Sequence, residues 1–327
     1  MTLADQLPFL QRLAEDSLHL WDIPEGAMVT LINVSENTTY LVEAPGYKAV
    51  LRLHRAGYHS IEAIRSELSW IDALRRDTDI ETPQAYLGRN GVTVQQAAAP
   101  GLETPRHMVL FDFIDGQAPS ELENPGAHFT ELGAMAATCH NHAETWQPPS
   151  GFQRFSWDID AVFGPNPIWG HWQDAPGVTA QHNGLLQRVE VQTRTRLKAF
   201  GRAPNRYGLI HADMRLANLL ISPTATRLID FDDCGFGWFL YDFAAAISFI
   251  EDDPNVPDMK AAWLDGYRRV RALSAEEEAE MDTFVMLRRL ALLAWIGSHI
   301  EAPEPIAMAP DFADRTANLG EAWLART

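Results

Sequence analysis

The sequence predicts an α+β protein in two lobes. A strand-rich lobe with one main helix covers residues 1–113, and a mostly helical lobe covers 114–327. Three observations carry this reading. Residues 28–53 hold three β-branched runs separated by turn signals, the pattern of an antiparallel meander. One strongly amphipathic segment follows at 60–74, with apolar residues at helical spacing. Beyond Asp115-Gly116, helical periodicity dominates almost to the end of the chain.

Taken in order, residues 3–20 repeat Leu7, Leu10, Leu13 and Ala14 on one helical face and stop before Pro24. Residues 29–32, 38–42 and 49–53 are the three strands, with Pro45-Gly46 turning the chain between the last two. The tip formed by Val34, Ser35, Glu36, Asn37 and Thr38 is small and polar. Such a tip can lay N–H groups and hydroxyls over a phosphate, although this one has no glycine. Ser60 caps the next helix, whose stripe runs through Ile61, Ile64, Leu68, Ile71 and Leu74. Glu67 falls inside that stripe, where a carboxylate is costly unless it finds a partner. Either it sits at the stripe's edge and reaches water, or it meets Arg52, which strand alternation points away from Leu51 and Leu53.

Residues 93–96 and 108–113 add two strands, and a hinge at about 112–118 separates the lobes. The helix at 129–145 carries His140 and His142 on different faces, which suits core or capping histidines. Residues 151–179 are irregular. Their Trp157, Trp169 and Trp172 either pin a surface segment or form an aromatic wall for a substrate ammonium. Helices are expected at 187–200, at 238–247 with Asp242 in the first turn, at 257–270 and at 311–325. The capping box Ser274/Glu277 opens another, which runs towards His299.

Composition narrows the function. A net charge of -18 argues against nucleic acid and against an anionic membrane surface, and it leaves room for a cationic substrate. Two cysteines make neither a disulfide framework nor a four-cysteine zinc site. The first ten residues lack the features of a signal peptide, and no apolar run reaches the roughly 18 residues of a membrane span. A cytoplasmic protein is expected.

The segment from His211 to Asp232 carries the chemistry. Two short apolar runs, 219–221 and 228–229, flank Pro223-Thr224 and read as a hairpin with polar residues at its open end. Asp213, Asn218 and Asp230 gather two carboxylates and an amide oxygen, a hard donor set that suits Mg²⁺. A carboxylate beside a metal-bound phosphate can orient a hydroxyl or accept its proton, which favours phosphoryl transfer. A hydrolytic metal site built on His211 and Asp213 would need a second histidine cluster that the sequence lacks.

His211-x-Asp213-x-x-x-x-Asn218, followed by Ile229-Asp230-Phe231-Asp232, resembles the catalytic and metal loops of the aminoglycoside phosphotransferase, choline kinase and type II homoserine kinase superfamily, which has a protein-kinase-like fold. Within it, the chain is most similar to bacterial phosphotransferases of the stress-response-kinase type. The resemblance implies ATP and Mg²⁺ as cofactors, Asp213 as the catalytic base, and Asn218 and Asp230 as metal ligands. It also implies nucleotide contacts from Ser35, Asn37, Val50, Arg52 and Glu67, with hinge backbone from Asp112 and Ile114. His211 and Asp242 would brace the catalytic loop. Arg52 stands where the family usually has lysine, and it keeps the capacity to grip phosphate bidentately.

The expected acceptor is a hydroxyl of a small cationic or amino-bearing molecule. Asp232, Trp169 and Trp295 are candidate contacts, alongside the acids Asp233, Glu251, Asp252 and Asp253. The same chemistry on a protein serine or threonine, or a nucleotide-binding module without turnover, are the alternatives.

Overall fold

The computed structural model describes residues 3–34, 37–119, 125–222 and 225–327. The chain forms two compact units. The first comprises residues 1–76, 81–116 and 148–153, and the second residues 77–80, 117–147 and 154–327.

In the first unit, α1 (Leu3–Asp16) precedes β1 (Met28–Val34), β2 (Thr38–Ala44) and β3 (Tyr47–Leu53). Helix α2 (Ile61–Asp77), β4 (Gln95–Ala97) and β5 (Arg106–Asp112) follow. The strands form one antiparallel sheet in the order β1-β2-β3-β5-β4. Alternation along β2 buries Thr38, Tyr40, Val42 and Ala44, which is what a half-buried strand requires. Leu10, Leu13 and Trp21 join Tyr40, Val42, Leu51 and Leu110 in the core. The Ser60 hydroxyl accepts the Ala63 N–H at 3.1 Å, the expected cap of α2. Glu67 is fully buried on that helix, so the solvent-facing alternative does not hold.

The second unit begins with α3 (Pro125–Thr145), β6 (Phe155–Trp157), α4 (Ile159–Phe163) and α5 (Ala180–Phe200). Next come β7 (Tyr207–Ile210), β8 (Leu219–Ile221), β9 (Thr226–Leu228) and β10 (Gly235–Trp238). Helices α6 (Tyr241–Ala246), α7 (Val256–Val270), α8 (Ala275–Ala279), α9 (Met281–Ser298) and α10 (Pro303–Leu324) complete it. Strand β10 pairs parallel with β6 and antiparallel with β7, and β8 pairs antiparallel with β9.

Several local readings need correction. The stretch expected to be irregular contains β6 and α4, because β6 finds its partner only in the distant β10. Trp238 belongs to β10, and the helix starts at Tyr241. The helix from the Ser274 capping box breaks at Glu280 into α8 and α9. There the Glu280 carboxylate accepts the Thr283 hydroxyl and the Arg196 guanidinium, each at 2.8 Å. Helix α5 starts earlier than expected, capped by Thr179 with His182. Helix α10 runs through Pro310, starting at Pro303. The Pro223-Thr224 turn lies outside the described residues.

Helices α3 and α7 approach so closely that glycine is required at their contact. A Cβ on Gly266 would run into the Thr130 carbonyl, and one on Gly133 into the Trp263 carbonyl. Gly266→Ala is therefore expected to destabilise the protein by about 1–3 kcal/mol, the usual cost of overpacking, as read from urea unfolding.

Candidate active site

The loop that follows β7 is fixed by a buried carboxylate. Asp242, in the first turn of α6 and fully buried, accepts the His211 N–H at 3.2 Å and the Ala212 N–H at 2.7 Å. Ala212 has φ 66°, a region that a side chain makes costly, and its bond to Asp242 holds it there. His140 Nε2 lies 2.9 Å from Asp242, and its Nδ1 lies 2.9 Å from the Tyr267 hydroxyl. Burial lowers the His140 pKa despite the pull of Asp242. The neutral ring therefore gives its one N–H to Asp242 and accepts from Tyr267. His140 is thus a core histidine with a task, supporting the carboxylate that shapes the loop.

Asp242→Asn puts an NH₂ group where the wild type has a second acceptor. It is expected to cost about 1–3 kcal/mol for a buried polar group left without a partner, with a fall in activity beyond that unfolding accounts for. Urea unfolding and turnover of the folded fraction check both.

His211 ties the loop to the strand end that carries Asp230. Its Nδ1 accepts the Asp213 N–H at 3.3 Å and its Nε2 donates to the Ile229 carbonyl at 3.1 Å. Asp213 is gripped from two sides. Arg288 Nη2 lies 2.9 Å from Oδ1 and Arg215 Nε lies 3.3 Å from the same oxygen. Asn218 Nδ2 donates to Oδ2 at 2.8 Å and to the Asp213 carbonyl at 2.7 Å. Burial alone would raise the Asp213 pKa, but Arg215, Arg288, His211 and the Asn218 amide outweigh it and hold the group below its ordinary value. Asp213 is a carboxylate at neutral pH.

With its NH₂ group spent on Asp213, Asn218 has its amide oxygen left for another partner. The Ile229 N–H donates to the Asn218 carbonyl at 2.9 Å, and Leu219 pairs with Leu228, so the hairpin brings Asn218 and Asp230 together at its open end. Asp230 is exposed, with φ 63°. Among the described residues no three His, Cys, Asp or Glu side chains form a metal cage. Two protein oxygens completed by phosphate and water is the set Mg²⁺ commonly takes, and these residues fit it.

In the first unit, Arg52 Nη2 lies 2.6 Å from Glu67 Oε1, with both side chains buried. The Arg52 guanidinium also sits 5.1 Å from the centre of the Phe111 ring. Asn37 Oδ1 accepts the Arg55 N–H at 3.2 Å. Val50 pairs with Leu41 and Phe111 in β3. Asp112 gives its N–H to the Gln84 carbonyl at 2.9 Å and takes the Gln84 N–H on Oδ1 at 2.5 Å, while Ile114 follows half-buried. Ser35 lies outside the described residues.

The acceptor candidates fare unevenly. Trp169 is 5% exposed and lies 5.1 Å below the Arg288 guanidinium. Trp295 is 6% exposed, packed on Phe249 and stacked on His299. Asp232 is buried. Glu251 is bound by Arg289 and Asp252 by Arg315, so neither stands ready for a ligand's charge. Asp233 is half-buried, and its charge acts on Tyr241 and Arg288.

The sequence reading missed Arg288. In the middle of α9 and almost fully buried, it also donates to the Ser248 hydroxyl at 3.1 Å and to the Tyr241 hydroxyl at 3.4 Å. A signal was present: Arg288-Arg289 interrupts an otherwise apolar run from Phe284 to Ile296, and buried arginines demand partners.

A β-rich unit with a buried Arg–Glu pair, and a helical unit with this loop and hairpin, are the parts of a protein-kinase-like fold. Residues 29–273 match the model of the phosphotransferase enzyme family (APH), and the chain belongs to that family. It is 43% identical to a solved microcompartment-associated aminopropanol kinase, with a TM-score of 0.89 over 96% of this chain and 98% of that one. It is 23% identical to the amicoumacin kinase of Bacillus subtilis, over 76% of this chain and 71% of that protein. An amicoumacin kinase solved with AMP-PNP, Ca²⁺ and amicoumacin shares the fold, at 18% identity and a TM-score of 0.76, covering 94% of this chain and 93% of that one. The protein is a small-molecule kinase, with an alcohol group as the acceptor. No helix among the described residues is long and apolar enough to cross a membrane.

Proposed function

We propose that the protein transfers the γ-phosphoryl group of ATP, bound with Mg²⁺, to the hydroxyl of a small amino alcohol in the cytoplasm. The observation that carries this reading is Asp213, an anion held between Arg288 and Asn218, one short loop from the oxygen donors Asn218 and Asp230. The identity to an aminopropanol kinase and the net charge of -18 support an amine-bearing acceptor. Bound Mg·ATP supplies an electrophilic phosphorus with its charge partly neutralised. Asn218 and Asp230 would hold the metal.

The chain's own residues do the rest. Asp213 orients the acceptor hydroxyl and takes its proton at Oδ2, which accepts a single N–H from Asn218, whereas Oδ1 faces both Arg288 and Arg215. Arg52, fixed by Glu67, grips the phosphates. In this reading the 34–38 tip contributes phosphate contacts, and Val50 with the hinge at Asp112 and Ile114 contributes to the adenine site. Asp233, half-buried and three residues past Asp230, is the acid assigned to the acceptor's ammonium. Residues 1–113 thus serve the nucleotide, and residues 114–327 serve the metal and acceptor.

Arg52→Met is expected to raise the KM for ATP by about tenfold or more, as loss of a charge-assisted phosphate contact implies, with the acceptor KM little changed. An ADP-release screen over amino alcohols, hydroxy amino acids, aminoglycosides and sugars tests the whole reading. Turnover concentrated on short amino alcohols is expected, and turnover only on uncharged sugars would contradict it.

A further inference from the structure

The segment after Asp230 is held in an unusual way. Three consecutive carbonyls, those of Asp232, Asp233 and Cys234, are each captured by a side chain from the β6 region. Arg154 Nη2 donates to the Asp232 carbonyl, and its Nε donates to the Cys234 carbonyl at 2.6 Å. Trp157 Nε1 donates to the Asp233 carbonyl at 2.7 Å. The Cys234 N–H closes a turn onto the Phe231 carbonyl at 2.9 Å. From Gly235 onward the same two segments pair as β10 and β6. Asp230 itself, at φ 63°, occupies a backbone region that persists only where the surroundings enforce it.

Main-chain pairing of β10 with β6 starts at Gly235, so it cannot by itself set the residues before it. Those residues take their course from side chains. A planar guanidinium that spans two carbonyls, two residues apart, fixes their direction as well as their position. The Trp157 indole is locked in turn, 4.8 Å from Trp169 and 6.0 Å from Tyr241 between ring centres. The clamp is therefore anchored in the core and grips the chain immediately beyond the strained aspartate.

We propose that Arg154 and Trp157 are positioning residues for Asp230. By holding the 232–234 carbonyls they keep Asp230 in its left-handed conformation and aim its carboxylate at the metal. This rests on Asp230 being a metal ligand, as proposed above. Supports of this kind around a ligand typically contribute tenfold or more to metal affinity.

The test measures Mn²⁺ binding in the presence of AMP-PNP by electron paramagnetic resonance, with unfolding temperature recorded for each protein. Arg154→Met, Arg154→Lys and Trp157→Phe are compared with wild type and with Asp230→Asn. Arg154→Met is expected to weaken Mn²⁺ binding by about tenfold, with smaller losses in Arg154→Lys and Trp157→Phe. Metal-free AMP-PNP binding should be unchanged in all of them. If Arg154→Met does not fold, the two milder variants still decide the matter. Wild-type Mn²⁺ affinity in the folded variants, alongside a loss in Asp230→Asn, overturns the clamp and leaves the metal site standing. Wild-type affinity in Asp230→Asn overturns both.

Discussion

Asp213→Asn is expected to lower kcat by about a thousandfold, within the range that a positioned acid–base group contributes. The amide cannot take the acceptor's proton, and its NH₂ group would meet either Arg288 or the Asn218 amide. The KM for ATP should stay close to wild type, because no nucleotide contact is assigned to Asp213. Stability should fall only moderately. The amide oxygen can still accept from Arg288, so the loss is that of a charged partner, about 1–3 kcal/mol. Steady-state kinetics and urea unfolding on the same preparation separate the two effects. Turnover within a few-fold of wild type would remove Asp213 from the mechanism.

Arg288→Met is expected to be the most damaging single change in stability and to reduce kcat as well. The guanidinium serves Asp213, Ser248 and Tyr241 at once and lies over the Trp169 ring. Removing it leaves the Asp213 carboxylate, 16% exposed, with Arg215 as its remaining ion-pair partner among the described residues. Breaking a buried pair by removing one partner costs about 3–5 kcal/mol, because an uncompensated charge stays behind. Activity should fall by about a hundredfold in the protein that remains folded, since Asp213 is then free to turn towards Arg215. Arg288→Lys restores a cation but cannot reach three partners, so it should recover stability in part and activity less. Equal activity in the Met and wild-type proteins would show that the pair serves the fold alone.

The legible parts of this protein were those whose chemistry is local in sequence. The β1–β3 meander shows as β-branched runs between turns, and Ser60 and Ser274 announce their helices by capping chemistry. Arg52 could be named as a candidate partner for Glu67, beside a solvent-facing alternative, because one lies on a strand and the other on the stripe of the next helix. Asp213, Asn218 and Asp230 stood out by spacing, and the loop brings the Asn218 amide onto Asp213. What stayed hidden depends on distant partners. Strands β7 and β10 are four residues long and contain glycine, so each is recognisable only through the other. Arg288 and Arg154 reach their targets from elements remote in sequence, and no spacing rule connects them to Asp213 or Asp230. The acidic residues expected to await a cation illustrate the same limit. Glu251 and Asp252 look available in the sequence, yet Arg289 and Arg315 claim them in the fold.

The most direct test of the central claim is phosphorus-31 NMR of the purified protein with ATP, Mg²⁺ and an aminopropanol. The account predicts that ADP appears together with an equal amount of a phosphate monoester of the amino alcohol, and that Asp213→Asn forms neither. Accumulation of inorganic phosphate without the ester, or phosphate carried on protein, would contradict it.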